Sequence, residues 1–384
     1  MRICLIYDCL YPHTIGGAER WYRNLAERLR DEGHEVTYLT LRQWGRGEHP
    51  GVEGVEVVAV GPRMALYGPD GTRRILPPLV FGSGVLWHLL RHLRCFDVVH
   101  TASFPYFSLL ACAALRRPGG YTLVADWPEV WSSTYWREYL GHLGWVGEAV
   151  QRLCARARQR AFCFSDLHAE RLRALGLRSE PTVLRGLWAG ALDRPDPQPA
   201  GSVAVFAGRL IPEKQAPALV GAVALAAASR PELRGVIYGD GPDRETVRAE
   251  IEAHGVAHLV SSPGFVDRDE LEEALGQALC LVLPSRREGY GLIVVEAASM
   301  GVPSVVVAGP DNAAVELIEE GVNGFVAPSA GAEDLAAAIL AVAEAGPALR
   351  QSTAAWFGAH SEELSLGHSL TQVLEVYRGP RARR

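Results

Sequence analysis

Two segments hold the residues best suited to chemistry. Phe206-Ala-Gly208-Arg209-Leu-Ile-Pro-Glu-Lys214 places two permanent cations five residues apart, directly after an apolar run. Arginine forks onto phosphate oxygens and lysine supplies a compact point charge, so the pair suits a diphosphate. Lys214 is the only lysine in the chain; every other permanent side-chain cation is an arginine. That favours a specific role over a chance surface pair. The second segment, Leu283-Pro-Ser-Arg-Arg-Glu288-Gly-Tyr-Gly291, leads into Leu292-Ile-Val-Val-Glu296-Ala-Ala-Ser-Met-Gly301. Gly289 and Gly291 keep Glu288 in a loop, and Glu296 is expected early in the next helix. Carboxylates accept several hydrogen bonds, so these two could grip the hydroxyls of a sugar and of a ribose. The competing reading is a solvated loop acid and an acid placed for the helix dipole.

Two weaker segments are richer in glycine. Gly16-Gly17-Ala-Glu19 opens the first helix, where backbone N–H groups and the helix dipole favour an anion. It is not a GxGxxG fingerprint: with Gly16 as the middle glycine, Thr14 and Glu19 occupy the outer positions, so a nicotinamide reading loses ground. Gly239-Asp-Gly-Pro242 has the chemistry of a turn between strand and helix and could line the same crevice.

These segments need elements to carry them. Short β-type runs at 3–7, 35–40, 55–60, 97–100, 121–125 and 161–164 alternate with helical patterns such as Ala18, Tyr22, Leu25, Leu29. That rhythm predicts βαβ units and parallel sheets. The stretch Asp193-Arg-Pro-Asp-Pro-Gln-Pro-Ala-Gly201 reads as a linker, after which the rhythm restarts at 203–207, 235–238, 259–261, 279–283 and 304–307. The expected organisation is a first α/β domain over 1–193, a linker at 194–201 and a second over 202–362. A last helix within 363–384, with Leu370, Val373, Leu374 and Tyr377 on one face, is expected to return to the first domain.

Composition bounds the answer. The 384 residues suit two domains, and 48% hydrophobic with 21% charged residues excludes disorder and collagen. A net charge of −6 gives no reason to propose nucleic acid. Residues Met1 to Tyr7 read as a first strand rather than a signal peptide, and no apolar run is long enough to span a bilayer. Seven irregularly spaced cysteines without a CxxC suit buried thiols in a reducing cytosol.

Glu288, seven residues, then Glu296, within Glu-Gly-Tyr-Gly and Glu-Ala-x-x-x-Gly-x-Pro, resembles the retaining nucleotide-sugar glycosyltransferases of family 4 (glycosyl transferases group 1). The Gly208–Lys214 segment, Gly239–Pro242, Gly16-Gly17 and Glu316-Leu-Ile-Glu-Glu-Gly-Val-Asn323-Gly324 stand in that family's order. The resemblance implies the GT-B fold: two Rossmann-like α/β domains with parallel sheets facing a central cleft, the first for the acceptor and the second for the nucleotide sugar. It implies Arg209 and Lys214 on the donor diphosphate and Glu296 on the ribose. Glu288 would contact the transferred sugar beside the backbone of Gly289, Tyr290 and Gly291. Gly16, Gly17, Gly208 and Gly239 would approach the donor. The pattern departs where Ala125-Asp126 replaces a family histidine and where Gly309-Pro-Asp-Asn replaces a Gly-Gly; Asp126 is a candidate replacement contact.

The implied function is retaining hexosyl transfer from a nucleotide diphosphate sugar, UDP favoured and GDP next, to a hydroxyl of a small molecule, glycan or lipid-linked acceptor. The donor is a co-substrate, and no cofactor is expected. A sugar-nucleotide 2-epimerase and a non-catalytic nucleotide-sugar-binding protein are the alternatives. Asp267-Arg-Asp269 looks like a metal motif, but it precedes a helical run and reads as a cap, so no required metal is expected. His100 after one strand is an acceptor-side candidate or equally a buried, hydrogen-bonded histidine, and Asp126 and Trp127 after another strand are further acceptor-side candidates. The aromatic stretch Trp127–Trp145 is equally a hydrophobic cap. Leu86–Arg94 is a basic amphipathic helix pattern that reads by default as core packing with a solvated face, with weak membrane-surface contact left open as the minority reading. The expected location is the cytoplasm, at most peripheral to the inner membrane face.

Overall fold

The computed structural model describes residues 1–14, 16–45, 47–48, 50–66, 68, 74–190 and 199–379. Most of the expected linker, residues 194–198, therefore lies outside the described residues, as does the end of the last segment, 380–384. Contacts divide the chain into two units. The first contains Met1–Gly68, continues to Leu187 and regains the chain from Gly367; the second runs from Trp188 to Leu366.

The first unit is built on seven strands: β1 (Arg2–Ile6), β2 (Glu35–Leu41), β3 (Glu56–Gly61), β4 (Val98–Ala102), β5 (Thr122–Trp127), β6 (Arg160–Cys163) and β7 (Thr182–Val183). They pair in the order β3-β2-β1-β4-β5-β6-β7, every pairing parallel. The connecting helices are α1 (Gly17–Asp31), α2 (Leu76–Arg91), α3 (Tyr106–Gly119), α4 (Ser133–Leu140), α5 (Gly144–Arg156) and α6 (Asp166–Leu175). A parallel sheet with crossover helices is buried on both faces, which is why its strands read as nearly continuous apolar runs. One core joins Phe81, Val85 and Leu89 of α2 and Leu109 of α3 to Val99 and Trp127 of the sheet. His100, one residue beyond Val99, points to the other face, against Tyr22 of α1.

The second unit repeats the plan with β8 (Val203–Ala207), β9 (Arg234–Tyr238), β10 (Val260–Gly264), β11 (Cys280–Leu283), β12 (Arg287–Glu288), β13 (Ser304–Val307), β14 (Asp311–Asn312) and β15 (Gly324–Ala327). Six of them form one sheet, β10-β9-β8-β11-β13-β15, and β12 pairs with β14 apart from it. The helices are α7 (Ala218–Ser229), α8 (Arg244–Ala253), α9 (Arg268–Gly276), α10 (Leu292–Ala298) and α11 (Ala332–Leu364), the last interrupted at Gly346, where φ is 61°. A final helix, α12 (Leu366–Arg378), belongs to the first unit and buries Val373, Leu374 and Tyr377.

Three local readings change. The last helix, expected from about Glu363, starts slightly later: α11 ends at Leu364, Ser365 is extended, and α12 begins at Leu366. Strand β5 continues through Asp126 to Trp127 rather than stopping at Ala125. The basic segment Leu86–Arg94 is only partly helical, because α2 ends at Arg91 and Arg94 takes a left-handed φ of 64°. Its outer face is also more apolar than a solvated face requires: Leu86, Trp87 and Leu90 are exposed, and Arg91 lies 4.4 Å over the Trp87 ring. No helix among the described residues is long and apolar enough to cross a membrane.

Candidate functional site

In the second unit the strand order reverses between β8 and β11, which are hydrogen-bonded neighbours. Connections leaving their carboxyl ends diverge there, opening the crevice that open α/β sheets use for ligands. The segment after β8 carries Arg209 and Lys214; the segment after β11 carries Glu288.

Backbone contacts fix the first segment. The Gly208 N–H donates to the Tyr238 carbonyl (3.2 Å) and the Leu210 N–H to the Asp240 carbonyl (2.9 Å). This lays the turn after β8 against the turn after β9. Gly239 has a φ of 130°, and a Cβ there would fall 1.8 Å from the Gly208 oxygen, so only glycine fits. Arg209, between the bonded neighbours, is exposed, and its side chain makes no hydrogen bond or ion pair among the described residues. Pro212–Lys214 forms a single 3-10 turn.

Lys214 and Glu288 then meet. The Lys214 ammonium ion-pairs with Glu288 Oε2, and both side chains are largely buried, at 18% and 14% exposure. The Ser285 hydroxyl donates to the same carboxylate oxygen (3.2 Å). A second contact between the segments pairs Arg287 with Glu213 at 3.6 Å, and the Arg286 N–H donates to the Glu213 carbonyl (2.9 Å). Glu288 itself sits in β12, in register with Asn312 of β14. The buried Asn312 amide donates to the Ser285 and Val307 carbonyls (2.9 and 2.8 Å) and accepts from the Ala314 N–H (3.0 Å). The loop bearing Glu288 is thus held at both ends by hydrogen bonds that ordinary loop sequence would leave to water.

After Glu288 come Gly289 and Tyr290, the latter buried, and then Gly291, the N-cap of α10. Gly291 has a φ of 98°, and a Cβ would meet the Ala314 Cβ at 2.8 Å. Glu296 is half-buried and is the fifth residue of seven-residue α10, so it stands in the second turn rather than early in the helix. Its charge reaches Arg268, whose guanidinium pKa is raised mainly by its hydrogen bond to Glu272, with a contribution from Glu296. Glu316 lies in the 3-10 turn Ala313–Leu317. Asn323 closes the segment that follows: its amide donates to the Leu317 carbonyl and accepts from the Glu319 N–H (2.8 Å each).

In the first unit, Gly16 is the N-cap of α1 and fully extended, at a φ of −175°. A Cβ on Gly17 would meet open space, so the backbone alone does not require the second glycine. His100, Asp126 and Trp127 are enclosed, at 0%, 1% and 0% exposure. Asp126 accepts from His100 Nε2 and from Trp21 Nε1, both at 2.7 Å, while His100 Nδ1 lies 2.5 Å from the Tyr377 hydroxyl. The Trp127 indole donates to Gln159 (3.0 Å) inside the core. These side chains face structure rather than solvent, because β5 and β4 carry them into the sheet interior. Farther along the aromatic stretch, Trp145 is exposed while Trp136 is buried.

Asp267 caps α9, accepting from the Glu270 N–H (2.9 Å). Six of the seven cysteines are buried, and burial pushes the Cys280 thiol up to about 12, away from the thiolate form.

Two family models match the chain: "Glycosyl transferase 4-like domain" over residues 16–188 and "Glycosyl transferases group 1" over residues 195–355. The chain belongs to the group 1 glycosyltransferases. A glycogen synthase of Mycobacterium tuberculosis is 28% identical over 334 residues, covering 79% of this chain and 77% of the relative. A D-inositol 3-phosphate glycosyltransferase of Jonesia denitrificans is 30% identical over 186 residues, covering 47% of this chain and 43% of the relative. Among solved structures, Anabaena HepE in complex with UDP superposes with a TM-score of 0.76 at 19% identity, covering 98% of this chain and all (100%) of that one. Sucrose-phosphate synthase of Thermosynechococcus elongatus gives 0.78 at 17% identity, covering 98% of each. The fold of this glycosyltransferase is therefore GT-B.

Sequence reading of this glycosyltransferase picked Lys214 and Glu288 separately and missed that they pair. It also missed Ser285 and Asn312, which set the Glu288 loop. The available signal was weak: a Pro-Ser before the acidic loop, and a buried-type Asn after a Gly-Pro-Asp turn.

Proposed function

We propose that this glycosyltransferase binds a nucleoside diphosphate sugar in the second unit, at the crevice between the β8 and β11 connections. Arg209 and Lys214 take the diphosphate. Glu296 takes the ribose hydroxyls. Glu288, with the backbone of Gly289, Tyr290 and Gly291, takes the transferred hexose. The observation that carries the reading is the Lys214–Glu288 pair at the sheet's reversal point, with the exposed, unpaired Arg209 on the same connection after β8. Complexes of the neighbour HepE with UDP and with UDP-glucose support UDP as the favoured base, GDP being next.

Breaking the anomeric C–O bond leaves negative charge on the departing diphosphate and positive character on the sugar. Cations already held at the leaving group stabilise the first without reorganising. Lys214 is pre-positioned by Glu288, and Arg209 is available to fork onto phosphate oxygens. The acceptor hydroxyl, on a small molecule, glycan or glycolipid, attacks from the leaving-group face and passes its proton to a donor phosphate oxygen. The anomeric configuration is retained. On this reading Asp267 serves as the α9 cap rather than as half of a metal motif, and no metal is required. For a lipid-linked acceptor, the exposed Leu86, Trp87 and Leu90 of α2, with Arg91, form the surface that meets the bilayer.

Thermal stabilisation by UDP-, GDP- and dTDP-sugars identifies the donor, because a ligand that binds only the native state raises Tm. The anomeric coupling of the product, read by NMR, tests retention. Stabilisation by none of these donors, or an inverted product, would overturn the reading. Activity lost with chelator and restored by Mn²⁺ would overturn metal independence.

A further inference from the structure

The first unit has a second feature built for negative charge. At the amino-terminal ends of β5 and β6 lies a cavity of ≈ 410 Å³, lined by Arg116, Arg158, Arg160 and Arg178 together with Tyr121 and Val376 among others, and by no carboxylate. All strands of this sheet are parallel, so this edge is opposite the edge from which β1 runs on toward Gly16 and Gly17.

Four arginines lining one hollow is unusual for this chain, whose net charge is −6. Several arginines elsewhere are matched by acids a turn away, as in Arg23–Glu27, Arg152–Glu148 and Arg268–Glu272. None of the four forms an ion pair among the described residues. Arg116 is crowded as well: burial lowers its pKa first, and the neighbouring charges of Arg158 and Arg117 lower it further. An adjoining hollow shares Arg160 and carries Glu180 and Glu375, but Glu180 is already paired with Arg173 at 2.5 Å.

We propose that this cavity is a binding site for a compact, multiply phosphorylated ligand. Paired N–H donors of arginine match phosphate oxygens bidentately and stay charged at every physiological pH. The Tyr121, Leu123 and Val376 walls suit a small carbon skeleton, and the volume falls in the range of small-molecule sites. The shared chemistry is clustered phosphate, from either a soluble sugar bisphosphate or a phospholipid headgroup. The site is independent of the donor reading above, since it uses none of the same residues.

The test uses the full chain and fructose 1,6-bisphosphate as probe, with sodium sulfate at equal ionic strength as control. Calorimetry should give saturable binding that weakens by about tenfold or more in Arg158→Ser/Arg160→Ser, both exposed positions. UDP-sugar stabilisation should be unchanged in that variant. Binding should persist in Arg209→Ala/Lys214→Ala. Equal affinity in the first variant, loss only in the second, or an equal response to sulfate would overturn the site. Co-sedimentation with phosphatidic acid vesicles, lost in the first variant and displaced by the probe, identifies a headgroup as the source. Probe binding without vesicle binding identifies the soluble ligand.

Discussion

Lys214 and Glu288 are 74 residues apart in sequence and joined by an ion pair that ties the connection after β8 to the connection after β11. Neither side chain is independent. The ammonium that would face a diphosphate is oriented by a carboxylate, and that carboxylate is itself held by Ser285. Removing a preorganised electrostatic contact of this kind costs about 2.7–4 kcal/mol of barrier, or roughly 10²–10³ in rate. Arg209→Ala is expected to lower kcat by that order while moving Tm little, and Lys214→Ala to lower kcat similarly but also to lower Tm, because it leaves the largely buried Glu288 carboxylate without its cation. Glu288→Gln and Lys214→Met should be strongly non-additive, because each disables the other's partner. Turnover and thermal melts on the four proteins of the cycle decide it; additive losses in kcat would show that the pair does not act as a unit.

Gly239 makes a different demand. Its φ of 130° and the 1.8 Å approach of a built Cβ to the Gly208 oxygen mean that any side chain must push the Arg209 turn aside. Strain of this kind costs about 1–3 kcal/mol. Gly239→Ala should lower the urea midpoint by a corresponding amount and weaken donor-induced thermal stabilisation beyond what the stability loss explains. An unchanged response to UDP-sugar would separate this glycine from donor binding.

Much of this arrangement was legible in the residues. Val203–Ala207 and Cys280–Leu283 are apolar β-type runs followed at once by glycine, proline and charge, so strand ends and candidate cations were visible together. The Lys214–Glu288 contact was not, since pairing across 74 residues depends on which strands become neighbours, and local pattern carries no such information. Two-residue β12 and β14 are too short for any period to register. Asp126 and Trp127 looked like loop residues because a polar residue commonly ends a buried strand. Here Trp21 and His100 satisfy the carboxylate, so the strand runs on.

That enclosed network predicts its own cost. Tyr377 of α12 reaches His100, which in turn holds Asp126, all inside the first unit. Tyr377→Phe keeps the ring packing but leaves a buried imidazole nitrogen without its partner. Such a loss costs about 1–3 kcal/mol. The expected result is a lower Tm with the donor-induced shift intact, because Arg209, Lys214, Glu288 and Glu296 belong to the other unit. A variant as stable as wild type would mean the hydroxyl contributes nothing to holding α12.

His168 gives a pH prediction. Burial first, and the charge of Arg171 second, lower its pKa from 6.5 to about 3. Its Nδ1 accepts from the Val130 N–H at 3.3 Å, which requires the neutral ring. Between about pH 3 and pH 6.5 the unfolded chain therefore binds a proton that the folded chain refuses, so stability rises with pH across that window and is lost as pH falls through it. The slope from one such group reaches about 1.4 kcal/mol per pH unit. His168→Asn keeps an acceptor for the Val130 N–H but cannot protonate. Urea unfolding at about pH 4, 5 and 6 should show a slope reduced by up to one proton in the variant, with the two proteins alike above about pH 7. Parallel profiles through the acid range would mean that His168 titrates normally in the fold.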